Sequence, residues 1–434
     1  MDVLEELLFG LKQVCAGFPD KRKGGEVVYS MADIGLSAFS LFFTQSESFL
    51  AYQRGLEAKH MASNCQTLFG MAKIPTDNHI RSMLDPVDPA YLQPCFDAAI
   101  NMLRQRGGLK EFERLGGRTL VALDGTEYFC SQKLGCSHCL TRKRANGRNE
   151  SYHTMLAATI VAPGNANVVP LMPEFIAPQD GHDKQDCERV AVKRWLASHG
   201  ERMGPLRPVY LGDDLFACQP VAEAVLASGG DFLLVCKEGS HKGLYDFVAG
   251  AAPHEKTVRE LRSGKMVTMR YQWFDAVPLR DGKDALLVNW VGMSMANAAG
   301  KVTFKTAFVT SLAVSAANVG EICDCGRARW KIENESFNVL KNNGYHLEHN
   351  FGHGKQHLAM MFAAMNLLAF ATHTVCDCLD NLWIRAREAK KKRRRFFEHI
   401  ATLCAYMVFP DWTTLFETLI ASKPPPELQK MMGI

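Results

Sequence analysis

The sequence predicts an α/β protein: a sheet core, a β-rich subdomain inserted into it, and helical regions on either side. Three observations predict it. Short apolar runs bounded by Gly, Pro or Asn begin after Gly117 (TLVAL, HTMLAATIVAP, ANVVPLMPEFI) and read as three strands. They are followed by an order of helix, strand, helix, strand through DCERVAVKRWLASH, PVYLG, QPVAEAVLASGG and DFLLVCK. Residues 240–313 then alternate apolar and polar positions, whereas residues 1–112 show no clear strand.

Taken in order, residues 1–112 read as several helices, broken at Gly24-Gly25, at Pro75 and at DPVDP, Asp85 to Pro89. Residues 113–239 carry the strands and helices above, an order that matches the ribonuclease H-like fold, whose first and fourth strands each bring a carboxylate to one end of the sheet. In 240–313 the stretches TMRYQWF, LLVNWVGM and KVTFKTAFVT, with Gly and Asp-Gly turns between them, predict an inserted β subdomain. Helical periodicity resumes at Ala317 and completes the core over 314–375, and 376–434 reads as a basic helical region. The apolar segment LAMMFAAMNLLAFAT from Leu358 contains Asn366 and falls short of the roughly 20 residues needed to cross a bilayer, so a buried helix and no membrane partner are expected.

Composition narrows the class. At 434 residues the length predicts two to three domains. Hydrophobic residues at 47% and charged residues at 22% exclude a mainly disordered chain. A net charge of +4 is too small to argue for nucleic acid by itself, so the positions of the cations must decide. The start MDVLEELLFGLKQ lacks a basic, cleavable leader, and 14 cysteines without a regular framework fit a reducing compartment. A cytoplasmic protein is expected.

The chemistry lies in carboxylates. Asp124 ends TLVAL and Asp213 ends PVYLG, so both are expected where strands stop; Glu333 lies in RWKIENESFNVLK on a helix-like segment rich in Arg and Lys. Taken singly, a strand-end Asp is equally a turn-former. Taken together, three carboxylates offer the hard oxygen ligands that Mg²⁺ or Mn²⁺ takes, the usual device for in-line attack on a phosphodiester. Asp214 competes with Asp213, and Glu335 with Glu333. Phe216, three residues beyond Asp213, and Arg329, four before Glu333, favour the first of each pair.

LDGTEY around Asp124, GDDLF around Asp213, and RWKIENESFNVLK followed by NNGYHLEHNFGHGK resemble the DDE transposases of bacterial insertion sequences, in the group with a β-strand insertion before the last Glu. That group's signature runs Tyr, two residues, Arg, three residues, Glu, six residues, Lys. Arg329 and Glu333 fit it. Gly326 stands where the Tyr belongs, and Lys341 falls one residue late. The resemblance implies Mg²⁺-dependent (or Mn²⁺-dependent) cleavage and strand transfer at terminal inverted repeats, Asp124, Asp213 and Glu333 as metal ligands, and Arg329, Lys331 and Lys341 on phosphates. It also implies end recognition by the helical N-terminal region, a homodimer on DNA, target DNA as second partner and a bacterial, nucleoid-associated location. A host nuclease of the same fold, or a domesticated transposase, is the first alternative; a non-catalytic DNA-binding protein is the second.

Two further groups stand out. CSQKLGCSHC holds Cys130, Cys136, His138 and Cys139; Cys136 and Cys139 form a CxxC, half of a structural Zn²⁺ site, with Cys130, His153 and Cys187 as candidates for the rest. His349, His353 and His357 recur every four residues, but Gly352 and Gly354 argue for a loop that contacts DNA or makes structural hydrogen bonds rather than holding metal. Lys390, Lys391, Lys392, Arg393, Arg394 and Arg395 form a basic run suited to phosphate contacts without base specificity.

Overall fold

The computed structural model describes residues 2–23, 27–49, 59–178, 187–262 and 264–421. The break expected at Gly24-Gly25 lies outside them. The N-terminal region is helical as expected, with α1 (Val3–Ala16), α2 (Met31–Phe43), α3 (Lys59–Phe69), α4 (Asp77–Leu84) and α5 (Gln93–Gln105). Ser30 caps α2: its hydroxyl accepts from the Asp33 N–H at 3.0 Å, and the Asp33 carboxylate in turn accepts from the Ala72 N–H at 2.7 Å, so this buried acid is satisfied on both sides. All thirteen residues of α2 are buried. A helix apolar all round belongs in a core.

The strands follow: β1 (Arg118–Ser131), β2 (Leu140–Lys143), β3 (Asn149–Val161), the short β4 (Val169–Pro170) and β5 (Glu174–Ile176), β6 (Pro208–Gly212) and β7 (Asp231–Val235). Helix α6 (Glu188–Met203) precedes β6, and α7 (Gln219–Ala227) joins β6 to β7. After α8 (Lys242–Ala249) come β8 (His254–Arg262), β9 (Lys265–Pro278), β10 (Leu287–Asn297) and β11 (Val302–Thr310). Together they make one large mixed sheet in the order β2-β3-β1-β6-β7-β11-β10-β9-β8. β1, β6 and β7 run parallel, while β3 on one side and β11 on the other are antiparallel.

The β-rich insertion is therefore an extension of the core sheet: β11 pairs with β7 through Phe308 and Val235. The far edge, β8, was not singled out by its apolar pattern because it is charged, HEKTVRELR, and alternately exposed. Charge on an edge strand blocks pairing with another chain.

Beyond the sheet lie α9 (Val319–Arg327), a 3₁₀ turn (Ala328–Trp330), a π-helix (Ile332–Phe337) and α10 (Asn338–Asn342), followed by α11 (Leu358–Leu379), α12 (Asn381–Lys390), α13 (Arg393–Tyr406) and α14 (Trp412–Ala421). Helix α11 has 22 residues, longer than expected, and by length and apolarity it passes for a membrane span; 94% of its most apolar window is nevertheless buried inside the protein. Its neighbours are α1, α2 and α5, so N-terminal and C-terminal helices share one hydrophobic cluster that runs from Val3 to Leu419. Asn64 ties the ends together, donating to the Cys404 and Met407 carbonyls at 2.9 and 2.7 Å and accepting from the Phe409 N–H at 2.9 Å.

Candidate functional site

β1 does not stop at Asp124. It runs on to Ser131 as one arm of a long hairpin with β3, in which Asp124 faces Ala157. What stops is the pairing with β6, which ends at Ala122 opposite Leu211. Asp124 thus lies just past the carboxyl end of the parallel pair, and Asp213 follows the last residue of β6. Ligands of open α/β sheets collect at that end.

Asp213 opens a turn, its Oδ1 accepting from the Leu215 N–H at 2.9 Å. Asp214 is turned the other way: the Lys237 N–H (2.6 Å) and the Ser240 hydroxyl donate to it, and His241 lies 3.5 Å off. Asp214 therefore holds the loop after β7, and Asp213 is the carboxylate that remains at the sheet end. Phe216 is buried against Gly212, where a Cβ would lie 2.8 Å from its ring.

Glu333 reaches the same place through Arg329. The guanidinium is buried and bridges Glu333 at 2.8 Å and Asp124 at 3.3 Å. Glu335 instead pairs with Lys331 at 3.0 Å. A π-helix carries both glutamates, and its i to i+5 bonding takes up about one residue more per turn than an α-helix.

A fourth carboxylate, Glu188 in the first turn of α6, was not singled out from the sequence. Its side chain lies on the backbone of Gly125: a Cβ there would be 2.0 Å from its Oε1. The Asp-Gly step thus lets Glu188 in beside Asp124. Burial, and then the charges of Glu333, Asp213 and Glu188, push the Asp124 carboxyl up to about 7 even though Arg329 opposes the shift. Burial first, and then Asp213, also raises the pKa of Glu188. Asp124 is half-buried, with the Arg329 guanidinium between it and Glu333; the groups here offer carboxylate oxygens, the hard donor type that Mg²⁺ or Mn²⁺ takes.

Gly326, at the position of the signature's Tyr, packs under Phe308; a Cβ would meet that ring at 2.6 to 2.9 Å. The aromatic bulk at this point comes from β11.

The cations divide. Lys331 and Lys341 are ion-paired, Lys341 with Glu348 at 2.8 Å. The basic run is a corner between α12 and α13, not a tail. Lys391, Lys392, Arg394 and Arg395 are exposed and Lys390 is half-buried. Arg393 points inward, donating to the Tyr345 hydroxyl at 2.7 Å and stacking over Phe370, so it braces α11 and is not presented to an outside phosphate.

The cysteines need correction too. Cys136 and Cys139 do meet His153, but Cys130 turns away toward Arg142, and the fourth member is His353, from the loop expected to contact DNA or make structural hydrogen bonds rather than to hold metal. Cys187 stands apart from the cluster as well. Loop residues 346–357 are non-helical, as expected.

No family model matches this chain, and no curated protein matches it. Among solved structures it is similar to a piggyBac transposase in a synaptic complex with hairpin DNA, with 9% identical residues over 100% of this chain and 84% of that one, at a TM-score of 0.39.

Proposed function

We propose that this protein is a DNA transposase with a ribonuclease H-like core, cleaving and joining strands at the terminal inverted repeats of a bacterial insertion sequence. One observation carries the reading: Asp124, Asp213 and Glu333, far apart in the chain, gather at the carboxyl end of the parallel strands, with Arg329 joining two of them. These three would hold Mg²⁺ or Mn²⁺, which supplies a water of lowered pKa and charge stabilisation for the leaving 3′ oxygen. Glu188 stands beside them as a fourth acid.

The chain's own residues do the rest. Arg329 keeps Asp124 and Glu333 oriented before the metal arrives. Lys331 and Lys341 exchange their partly exposed glutamate partners for phosphates, a small loss because such pairs contribute only about 0–1 kcal/mol. Lys390, Lys391, Lys392, Arg394 and Arg395 neutralise backbone phosphates further out, without sequence preference. The partners are double-stranded DNA at the element's ends and at the target, bound by a homodimer in the bacterial nucleoid.

The test is cleavage of DNA carrying the element's own ends, with Mg²⁺ or Mn²⁺. Wild type is expected to cut; Asp213→Ala and Glu333→Ala are expected to abolish cutting, and Glu335→Ala to retain it. Loss in Glu335→Ala alone would move the site along the π-helix. Folded wild type that binds the ends but never cuts them would favour a DNA-binding protein with structural carboxylates.

Gly125→Ala probes the fourth acid. The atoms nearest the added methyl all belong to the Glu188 side chain, so the fold is expected to persist, with ΔG changed by less than about 1 kcal/mol, while cleavage falls about tenfold or more as Glu188 is displaced. Glu188→Gln should reproduce the loss. Unchanged cleavage in both variants would leave Glu188 a packing residue.

A further inference from the structure

We infer that Cys136, Cys139, His153 and His353 form a closed tetrahedral Zn²⁺ site that pins the loop after the Glu333 helix onto the β1–β3 hairpin. The distances carry it. The two Sγ atoms lie 3.8 Å apart. Sulfur to Nε2 distances are 3.5 Å (Cys136–His153), 3.4 Å (Cys139–His153) and 3.3 Å (Cys139–His353), and the two Nε2 atoms are 3.2 Å apart. A zinc tetrahedron with Zn–S of about 2.3 Å and Zn–N of about 2.0–2.1 Å has edges of about 3.8 Å for S–S, about 3.5 Å for S–N and about 3.3 Å for N–N. Five of the six edges match within a few tenths of an ångström, and the sixth, from Cys136 to His353, joins ligand atoms within 4.8 Å of one another.

Chemistry agrees with the geometry. Two thiols and two imidazole nitrogens converge on one point, with three of the four residues buried. Without a cation they would crowd their protons together; a mixed thiolate and imidazole set of this shape selects zinc. Four protein ligands leave no open position, so the site is structural. The surroundings orient the ligands. His353 Nδ1 donates to the Gly354 carbonyl at 3.0 Å, which leaves Nε2 free for metal. Asp85 shapes the next residues, accepting from the Lys355, Gln356 and Leu358 N–H groups at 3.0 to 3.3 Å. Tyr128 stacks on His153, and the Phe129 ring lies 4.5 Å from that of His353.

The site therefore joins the turn between β1 and β2 and the neighbouring strand β3 to a remote piece of chain, the loop leading into α11. It involves none of the carboxylates at the sheet end, so it stands whether or not the chain cuts DNA. The test uses the full chain purified without added metal. Elemental analysis should find about one zinc per chain, and Co²⁺ exchanged into the site should show thiolate-to-cobalt charge transfer and tetrahedral d–d bands. Cys139→Ser and His353→Gln should lose the metal, while Cys130→Ser, Cys187→Ser and Asp124→Asn should keep it. Should the ligand variants fail to fold, chelation of wild type serves instead: Tm should drop and return with Zn²⁺ but not with Mg²⁺. Folded wild type that lacks zinc and gives no thiolate band with Co²⁺ would overturn the assignment. So would zinc retained by Cys139→Ser or lost from Asp124→Asn, or iron found in its place.

Discussion

Asp124→Asn is expected to abolish metal-dependent DNA cleavage, by about 10³-fold or more, and at the same time to stabilise the metal-free protein at pH 8. The second half follows from linkage. In the folded chain, burial first and then Glu333, Asp213 and Glu188 push the Asp124 carboxyl up to about 7, against about 3.9 in an unfolded chain. Between those values the folded state keeps a proton that the unfolded state has lost, so stability is fullest below about pH 4 and falls as pH rises through 7. The loss is at most on the order of 4 kcal/mol, and Glu188, shifted the same way, adds to it. Asparagine has no proton to lose. Melts without metal at pH 5, 6.5 and 8 should show Tm falling for wild type more steeply than for the variant, and Mg²⁺ should restore wild type above pH 7. Equal slopes would refute the raised acid, whatever cleavage shows.

Gly326→Tyr, which writes the missing aromatic of the signature back into the chain, is expected to destabilise the protein by at least about 3 kcal/mol. A Cβ at 326 already overlaps the buried Phe308 ring, and a whole phenol has no room while that ring is there. Phe308→Ala alone should cost about 3–5 kcal/mol by leaving a cavity. The two changes together should cost much less than their sum, because the tyrosine then occupies the space Phe308 left. Additive losses in chemical denaturation would show that the two positions do not share that space.

Legibility followed the range of the signal. The strand and helix order was readable because each element carries its own period; Asp124, Asp213 and Glu333 stand out in the sequence by residue type and position, although β1 runs on through Asp124 to Ser131. Glu188 was not: a Glu in the first turn of a helix is ordinarily a favourable charge at a helix end, and only the glycine opposite reveals that it points at Asp124. The CxxC was visible as a local spacing, but His353 lies 214 residues from Cys139 and nothing local marks it as the fourth ligand. The one-residue offset of Lys341 was visible as a number; the π-helix before it is a property of backbone hydrogen bonding that spacing does not encode. β8 hid behind its charges.

The tie between chain ends has a consequence for synthesis. Helix α2 is buried on all sides, and Asn64 and the Leu68 carbonyl find partners at Cys404, Met407, Phe409 and Trp412. A nascent chain therefore covers α2 at first only with neighbouring N-terminal helices, and the helical core closes only once residues 358–412 have been made. Contacts at such separation are slow to form and expose the waiting segment to aggregation and to chaperones. A message cut short before the codons for α13 would yield the acidic residues, the zinc ligands and α11 intact, yet leave Asn64 and the Leu68 carbonyl without the partners that α13 and α14 bring.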